Sequence, residues 1–217
     1  MSNTHKLSDS AIGALLVGVT GNIGSGKSTV CRILEELGAA RVDADQLARE
    51  VVQPGARALE EIQKRFGSSV LREDGSLNRA RLGEVVFSDS NALAALEAIL
   101  HPAIREAATV AIESAIEAGK EIVVYEAALL LEKGLEEQVD KVLVITAPME
   151  TKCKRVRLRD GLPEEAFRSR VSQQMNSAKQ VEKADLVIAN GESLDTLHSR
   201  CKEAYKILKV WHSEKCD

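Results

Sequence analysis

Short apolar runs recur along the chain, and none alternates cleanly between apolar and polar positions. Leu15-Leu16-Val17-Gly18-Val19, Ile122-Val123-Val124-Tyr125, Val142-Leu143-Val144-Ile145 and Leu186-Val187-Ile188-Ala189 are continuous, and Ala39 to Val42 leads into Asp43-Ala44-Asp45. Such runs predict strands covered on both faces, as in a sheet with helices packed on each side. After the first run, Val30, Ile33, Leu34 and Leu37 repeat at i, i+3, i+4 and i+7, with Gly38 placed as a left-handed cap, so a helix should end near Leu37.

From Gln46 to Lys120 no strand pattern is evident, and the stretch is too long for a simple crossover. Leu59, Ile62 and Phe66 mark one helix, and Val85 with Phe87 close another. Leu93, Leu96 and Leu100 mark a third, and Ile104, Ala108, Ile112 and Ile116 a fourth, with Pro54-Gly55, Asp74-Gly75 and His101-Pro102 as punctuation. A second helical excursion runs from Met149 to Lys183, broken at Gly161-Leu162-Pro163. The last helix should run from Ser193, as N-cap, to Trp211. Residues 14–45, 120–148 and 184–217 therefore read as an α/β core, 46–119 as an inserted helical subdomain and 149–183 as a small helical appendage.

Composition narrows the class. With 29 Lys+Arg against 33 Asp+Glu the net charge is −4, which lacks the basic footprint of a nucleic-acid binder. Cys31, Cys153, Cys201 and Cys216 form no CxxC pair, so reduced thiols in a cytoplasm are expected rather than a zinc set or a disulfide framework. Ala11 to Val19 is too short to span a bilayer, and no small-residue cleavage site comes after it. No membrane segment is expected, and residues 1–13 read as a flexible leader.

Directly after that first run stands Gly21-Asn22-Ile23-Gly24-Ser25-Gly26-Lys27-Ser28, a match to G-x-x-x-x-G-K-[ST]. In this motif glycines let backbone N–H groups turn inward around phosphate oxygens at a helix N-terminus, Lys27 reaches the β- and γ-phosphates, and the Ser28 hydroxyl ligates Mg²⁺. A chance match in a chain this long is roughly one in a hundred, and an ordinary glycine turn would not explain the apolar strand before it and the amphipathic helix after it. The expected cofactors are ATP and Mg²⁺.

Asp43 and Asp45 lie at the carboxyl end of the second strand, where ligands of open α/β sheets bind, so either carboxylate could face a transferred phosphoryl group or cap the following helix. Glu126 follows the third strand at the Walker-B position, with a solvated strand-end acid as the equal alternative. Lys152, Lys154, Arg155, Arg157 and Arg159 form a basic run, by default a solvated face. Arg155 and Arg159, at i and i+4, share one face and could be lowered onto phosphates; Arg170 and Gln174 stand at the same spacing beyond the Gly161-Leu162-Pro163 break. For His101, packing is favoured over substrate contact. Cys31 is either activated by the helix dipole or simply buried.

Taken together, these residues resemble the dephospho-coenzyme A kinase family. The likeness runs from Leu16 into the last helix. It rests on residues 20–29, on Asp43-Ala44-Asp45 with residues 48–55, on Phe66-Gly67, on Asp74-Gly75-Ser76-Leu77-Asn78-Arg79 and on Leu100-His101-Pro102. It continues through Leu129-Leu130-x-Glu132, Lys154-Arg155, Arg159-Asp160, Arg170-Val171, Gln174 and Ala184-Asp185-x-Val187-Ile188-x-Asn190. The resemblance implies a P-loop kinase core, α/β with a five-stranded parallel sheet covered by helices on both faces, a helical CoA-binding insert and a lid over 149–183. It implies transfer of the ATP γ-phosphate to the ribose 3′-hydroxyl of dephospho-CoA.

On that likeness Asp45 engages the 3′-hydroxyl, Asp43 supports it, and Lys27, Arg155 and Arg159 complete the catalytic set. Asn22, Ile23, Gly24, Ser25, Gly26, Lys27, Ser28 and Thr29 hold ATP, with Asn190 near the adenine. His101, Leu129, Leu130, Arg170 and Gln174 are candidates for substrate contact, and Ser28 for the metal. ATP and dephospho-CoA are the expected small-molecule partners, with no nucleic acid or membrane partner, and a monomer should suffice. Two departures stand out: Asn22 replaces the commoner second glycine of the loop, and Ala127-Ala128-Leu129-Leu130 lacks the proline usual before the paired leucines. The latter leaves the path of that segment and the role of Glu126 open. A nucleoside monophosphate kinase would share loop and lid but leave the insert unexplained; a regulatory GTPase would need Asn-Lys-x-Asp and Asp-x-x-Gly, which are missing. A dead scaffold would have lost Lys27, Ser28 or the aspartates.

Overall fold

The computed structural model describes residues 6–216. In chain order the elements are α1 (Leu7–Ser10), β1 (Leu15–Thr20), α2 (Lys27–Glu36), β2 (Ala40–Asp43), α3 (Ala44–Glu50), α4 (Arg57–Phe66), α5 (Arg79–Phe87) and α6 (Ser90–Glu117). They continue with β3 (Ile122–Glu126), β4 (Lys141–Thr146), α7 (Met149–Asp160), α8 (Glu164–Ser172), α9 (Ser177–Glu182), β5 (Leu186–Ala189) and α10 (Leu194–Cys216). The strands form one five-stranded sheet in the order β2-β3-β1-β4-β5, every pair parallel. The chain leaves β1 toward the β2 side and later crosses to the β4 side, so the strand order switches direction at β1. A crevice at the carboxyl ends of the strands is the expected ligand position at such a point.

Period-two geometry divides β1 between two faces. Leu15, Val17 and Val19 join Val30, Cys31, Ile33 and Leu34 of α2 and Leu197, Cys201, Ala204 and Leu208 of α10 in one buried cluster. On the opposite face Gly18 carries no side chain because Leu130 and Val139 fill the space: a Cβ there would lie 2.5 Å from Leu130 Cδ1.

The described residues fall into two compact units. One holds the chain up to Asp43 and from Ile112 onward; the other is Ala44–Ala111. Residues 149–183 belong with the sheet-bearing unit. The Ala44–Ala111 unit has its own core of Val52, Leu59, Ile62, Val70, Leu77, Leu82, Val86, Ala92 and Leu96. Asn78 caps α5 by accepting from the Arg81 N–H at 3.1 Å.

Several expectations are corrected. The third and fourth helices of the insert are one helix, α6, with Pro102 inside it. A proline removes one intrahelical donor and crowds one carbonyl, which a helix with apolar positions on either side can absorb at about 3 kcal/mol. Asp45 does not end the second strand; Asp43 does, and Asp45 lies in the first turn of α3. Of the expected flexible leader, residues 1–5 lie outside the described residues, but Leu7 and Ala11 are buried and Lys215 donates to the carbonyls of Ala11 and Ala14. The same lysine pairs with Asp140 at 2.7 Å, and α10 runs to Cys216 rather than Trp211. Among the described residues no helix is long and apolar enough to cross a membrane.

Candidate active site

The first turn of α2 is built for an anion. Gly26, the N-cap of α2, adopts φ +94°, and a Cβ there would lie 2.1 Å from Asn190 Nδ2. Gly24 (φ +78°) is equally constrained, since a Cβ would meet the Lys152 carbonyl at 2.7 Å. Only glycine adopts these conformations without strain, so the backbone curls around the helix N-terminus with its amides unencumbered by side chains. The Lys27 ammonium donates to the Gly21 carbonyl at 2.6 Å, folded over the loop that it would leave to meet phosphate. A cavity of about 500 Å³ opens here, lined by Gly24, Gly26, Lys27, Ser28, Arg155 and Arg159 among others.

Beside the loop lies a polar cluster anchored by β3. Ser28 Oγ donates to Glu126 Oε1 at 2.7 Å, and Arg41 donates to Glu126 Oε2 through Nε at 3.0 Å and Nη2 at 2.7 Å. The same Nη2 reaches Asp43 Oδ2 at 3.0 Å. Burial works against the Arg41 charge, but Glu126 beside it outweighs that and holds the guanidinium pKa above its ordinary value. Glu126, whose role the sequence left open, is thus a buried acid that accepts the Ser28 hydroxyl rather than a solvated strand end. The missing proline does not disorder its neighbours: Ala127 N–H donates to the Val19 carbonyl and Thr20 Oγ1 to that of Ala128. Cys31 is fully buried, and that burial, reinforced by Glu126, pushes its thiol pKa up, in line with the buried rather than the activated alternative.

Residues of α7 and of the segment after α8 approach the same loop. Arg155 donates to the Gly24 and Ser25 carbonyls at 3.5 and 3.3 Å and to Asn190 Oδ1 at 3.0 Å, while Asn190 Nδ2 donates to the Ser25 carbonyl at 2.8 Å. Arg159, one turn on, lines the cavity and forms a two-pronged pair with Asp160. Its hydrogen bond to Asp160 raises the arginine pKa against the opposing effect of burial. After α8, Gln174 Oε1 accepts from the Ile23 N–H at 2.9 Å, Asn22 Nδ2 donates to the Met175 carbonyl at 3.1 Å, and Ser177 Oγ donates to Asn22 Oδ1 at 3.3 Å. Met175 N–H in turn donates to Glu132 Oε1 at 2.9 Å.

The structure therefore brings Asn22, Ile23, Gly24, Ser25, Gly26, Lys27, Ser28, Thr29, Arg155, Arg159, Gln174 and Asn190 into one region with Asp43. Asp45 and His101 lie on α3 and α6 of the other unit, both exposed. Arg170 is exposed on α8, and Gln174 lies beyond that helix rather than on it, so the two do not share a helical face. Two expectations are corrected. Leu130, a candidate for substrate contact, is fully buried against Gly18 and is a core residue, whereas Leu129 is 44% exposed. Lys152, assigned to a solvated face, is buried, and desolvation draws its pKa down. Arg41 was missed, though its signal was present: a lone charge inside an apolar run, two residues before Asp43 and so on the same face.

The model of the dephospho-CoA kinase family matches residues 15–196. The chain belongs to the dephospho-CoA kinase family. It is 43% identical over 190 residues to the dephospho-CoA kinase of Geobacter sulfurreducens, covering 88% of this chain and 96% of that one. It is 47% identical over 181 residues to the dephospho-CoA kinase of Syntrophotalea carbinolica, covering 83% and 86%. Among solved structures, dephospho-CoA kinase from Campylobacter jejuni matches with a TM-score of 0.67 at 32% identity, over 90% of this chain and 98% of that one. TT1252 from Thermus thermophilus matches with a TM-score of 0.77 at 35% identity, over 89% and 97%. The family match spans the phosphate loop, the Ala44–Ala111 unit and residues 149–183, so this is a dephospho-CoA kinase fold from β1 into α10.

Proposed function

We propose that the protein transfers the γ-phosphate of ATP to the ribose 3′-hydroxyl of dephospho-CoA, giving CoA and ADP, and that the groups assembled around the first turn of α2 carry the reaction. The observation that supports this most directly is the convergence of the Lys27 ammonium, the Ser28–Glu126 pair and the Arg155 and Arg159 side chains on a glycine-shaped helix N-terminus. Phosphoryl transfer needs positioning and charge stabilisation more than covalent chemistry, and this set supplies both.

In this reading the backbone N–H groups of Gly24, Gly26, Lys27 and Ser28 and the Lys27 ammonium hold the β- and γ-phosphates, while Asn190 lies toward the adenine. The 3′-oxygen forms a bond to the γ-phosphorus as the bond to the β–γ bridging oxygen breaks, and the 3′-hydroxyl proton passes to Asp45, with Asp43 in support. Arg155 and Arg159 face the charge that accumulates on the transferred group. His101, Leu129, Arg170 and Gln174 are the substrate-contact candidates that remain once Leu130 is assigned to the core. The donors beside the loop, a serine hydroxyl and two carboxylates, are the oxygen ligands that a hard cation takes. A Mg²⁺ that arrives with the nucleotide suits this donor set. Ser28 would hold it, and once bound it would neutralise charge on the β- and γ-phosphates.

Every group named lies on one chain, so a monomer is sufficient, and the four free cysteines fit a reducing cytoplasm. A nucleoside monophosphate kinase is the alternative the phosphate loop alone would allow. The product decides: dephospho-CoA incubated with the protein and Mg-ATP should gain the mass of one phosphoryl group, located at the 3′-oxygen by phosphorus NMR. Unchanged mass would overturn the proposal.

A further inference from the structure

Asp43 and Glu126 are register partners across β2 and β3. Residues directly opposite one another in neighbouring strands project to the same face, and like charges so placed are destabilising. The Glu126 side chain is also only 6% exposed, which penalises its charged form further. Arg41 stands two residues before Asp43 on β2 and so emerges on that same face. Its guanidinium spans the pair, reaching Glu126 Oε2 and Asp43 Oδ2 from one edge. With Oε2 fixed by two donors, Oε1 accepts the Ser28 hydroxyl. The serine proton is thereby committed to Glu126, and the oxygen lone pairs are left for a cation.

We propose that Arg41 is a positioning residue: by bridging Glu126 and Asp43 it fixes the carboxylate that orients the Ser28 hydroxyl toward nucleotide-bound Mg²⁺. The inference rests on the reading above for the role of Ser28, but not on the identity of the acceptor. A planar fork suits the task because it meets two carboxylates at once; a lysine, as a point charge, does not. Cys31, on α2, lies within electrostatic reach of Glu126, Arg41 and Lys27.

The test compares wild type with Arg41→Met and Arg41→Lys, measuring affinity for a fluorescent ADP in excess Mg²⁺ and in EDTA, together with kcat and KM. Arg41→Met should lose about tenfold or more of the affinity that Mg²⁺ adds, as partners that orient a metal ligand typically do, while affinity in EDTA stays within about twofold. Arg41→Lys should recover part of the gain, and kcat should fall in the same order with KM for dephospho-CoA little changed. Equal losses with and without Mg²⁺ would make Arg41 a packing residue and overturn the proposal, as would a full Mg²⁺ gain in Arg41→Met. Should Arg41→Met fail to fold, Arg41→Lys decides: a several-fold loss of the Mg²⁺ gain is expected, and a wild-type gain contradicts it. Because the ADP readout needs no acceptor, a wild type that binds Mg-ADP but ignores dephospho-CoA would refute the proposed function alone.

Discussion

Asn22 in the phosphate loop donates its side-chain amide to the carbonyl of Met175, between α8 and α9, across 3.1 Å. The same side chain accepts from Ser177, and the neighbouring Ile23 N–H is held by Gln174. The Asn22 side chain is thus a tie between the phosphate loop and the segment joining α8 to α9. Replacing Asn22 with glycine should remove both side-chain bonds, each contributing about 0.5–1.5 kcal/mol, while leaving the loop backbone able to bind nucleotide. Amide exchange at residues 174–177 should quicken, and, on the proposal that residues 149–183 act as a lid, ATP hydrolysis without acceptor should rise as water reaches the phosphates. Unchanged exchange at those amides would show the tie to be inert.

Leu129 and Leu130 are adjacent and chemically identical, yet they should respond oppositely to truncation. Leu130→Ala opens a cavity beside Gly18 and should destabilise the fold by about 2–5 kcal/mol, with KM for the acceptor near normal at temperatures where the protein stays folded. Leu129→Ala should leave the melting temperature within a degree or two, and any effect should fall on KM. Denaturant titration with paired kinetics would expose an error in either assignment.

How far this was legible beforehand depended on the kind of signal. Four of the five strands announced themselves as continuous apolar runs, the short β2 only through the run that leads into Asp43, and the phosphate loop because its glycines, lysine and serine stand at fixed spacing. Leu130 could not be told from Leu129 without knowing that Gly18 faces it, since in the irregular segment after β3 no periodicity assigns side chains to core or solvent. Lys152 and Arg157 looked alike in a basic run, and only the close approach of α7 to Gly24 buries one of them. Pro102 looked like a helix break, because proline's local preference is visible and the tertiary support that overrides it is not. Arg41 was in plain view, but its meaning came from Glu126, which lies 85 residues away and becomes its neighbour only through strand pairing.

The catalytic groups should separate by kinetics. Asp45→Asn should lower kcat by orders of magnitude with ADP affinity nearly intact, and Lys27→Ala should impair phosphate binding as well. Arg159→Ala should reduce kcat more than it raises KM, since a group that meets charge accumulating in the transition state acts on the chemical step. A near-normal kcat in Asp45→Asn would remove it as the base, and an effect of Arg159→Ala confined to KM would make that arginine a binding residue.

The cysteines give a check on packing. Cys201 is fully buried and its pKa is pushed from 9.0 up to about 11 by desolvation, and Cys31 is raised as well. A folded-state pKa above the unfolded one means that this contribution to stability is whole below pH 9 and is lost as the pH climbs toward 11. A thiol reagent at pH 8 should therefore modify Cys216 first, with Cys31 and Cys201 protected until the protein unfolds, and melting temperature should fall between pH 9 and 11. Rapid modification of four thiols in the native protein would contradict the packing of α2 and α10 on the sheet.

The most direct measurement is acceptor-dependent ADP release with Mg-ATP, comparing dephospho-CoA with AMP, CMP and no acceptor. The account predicts turnover with dephospho-CoA far above the other three, which should stay near the acceptor-free rate. Turnover with AMP or CMP and none with dephospho-CoA would leave the phosphate loop and lid as described and contradict the assignment of the acceptor.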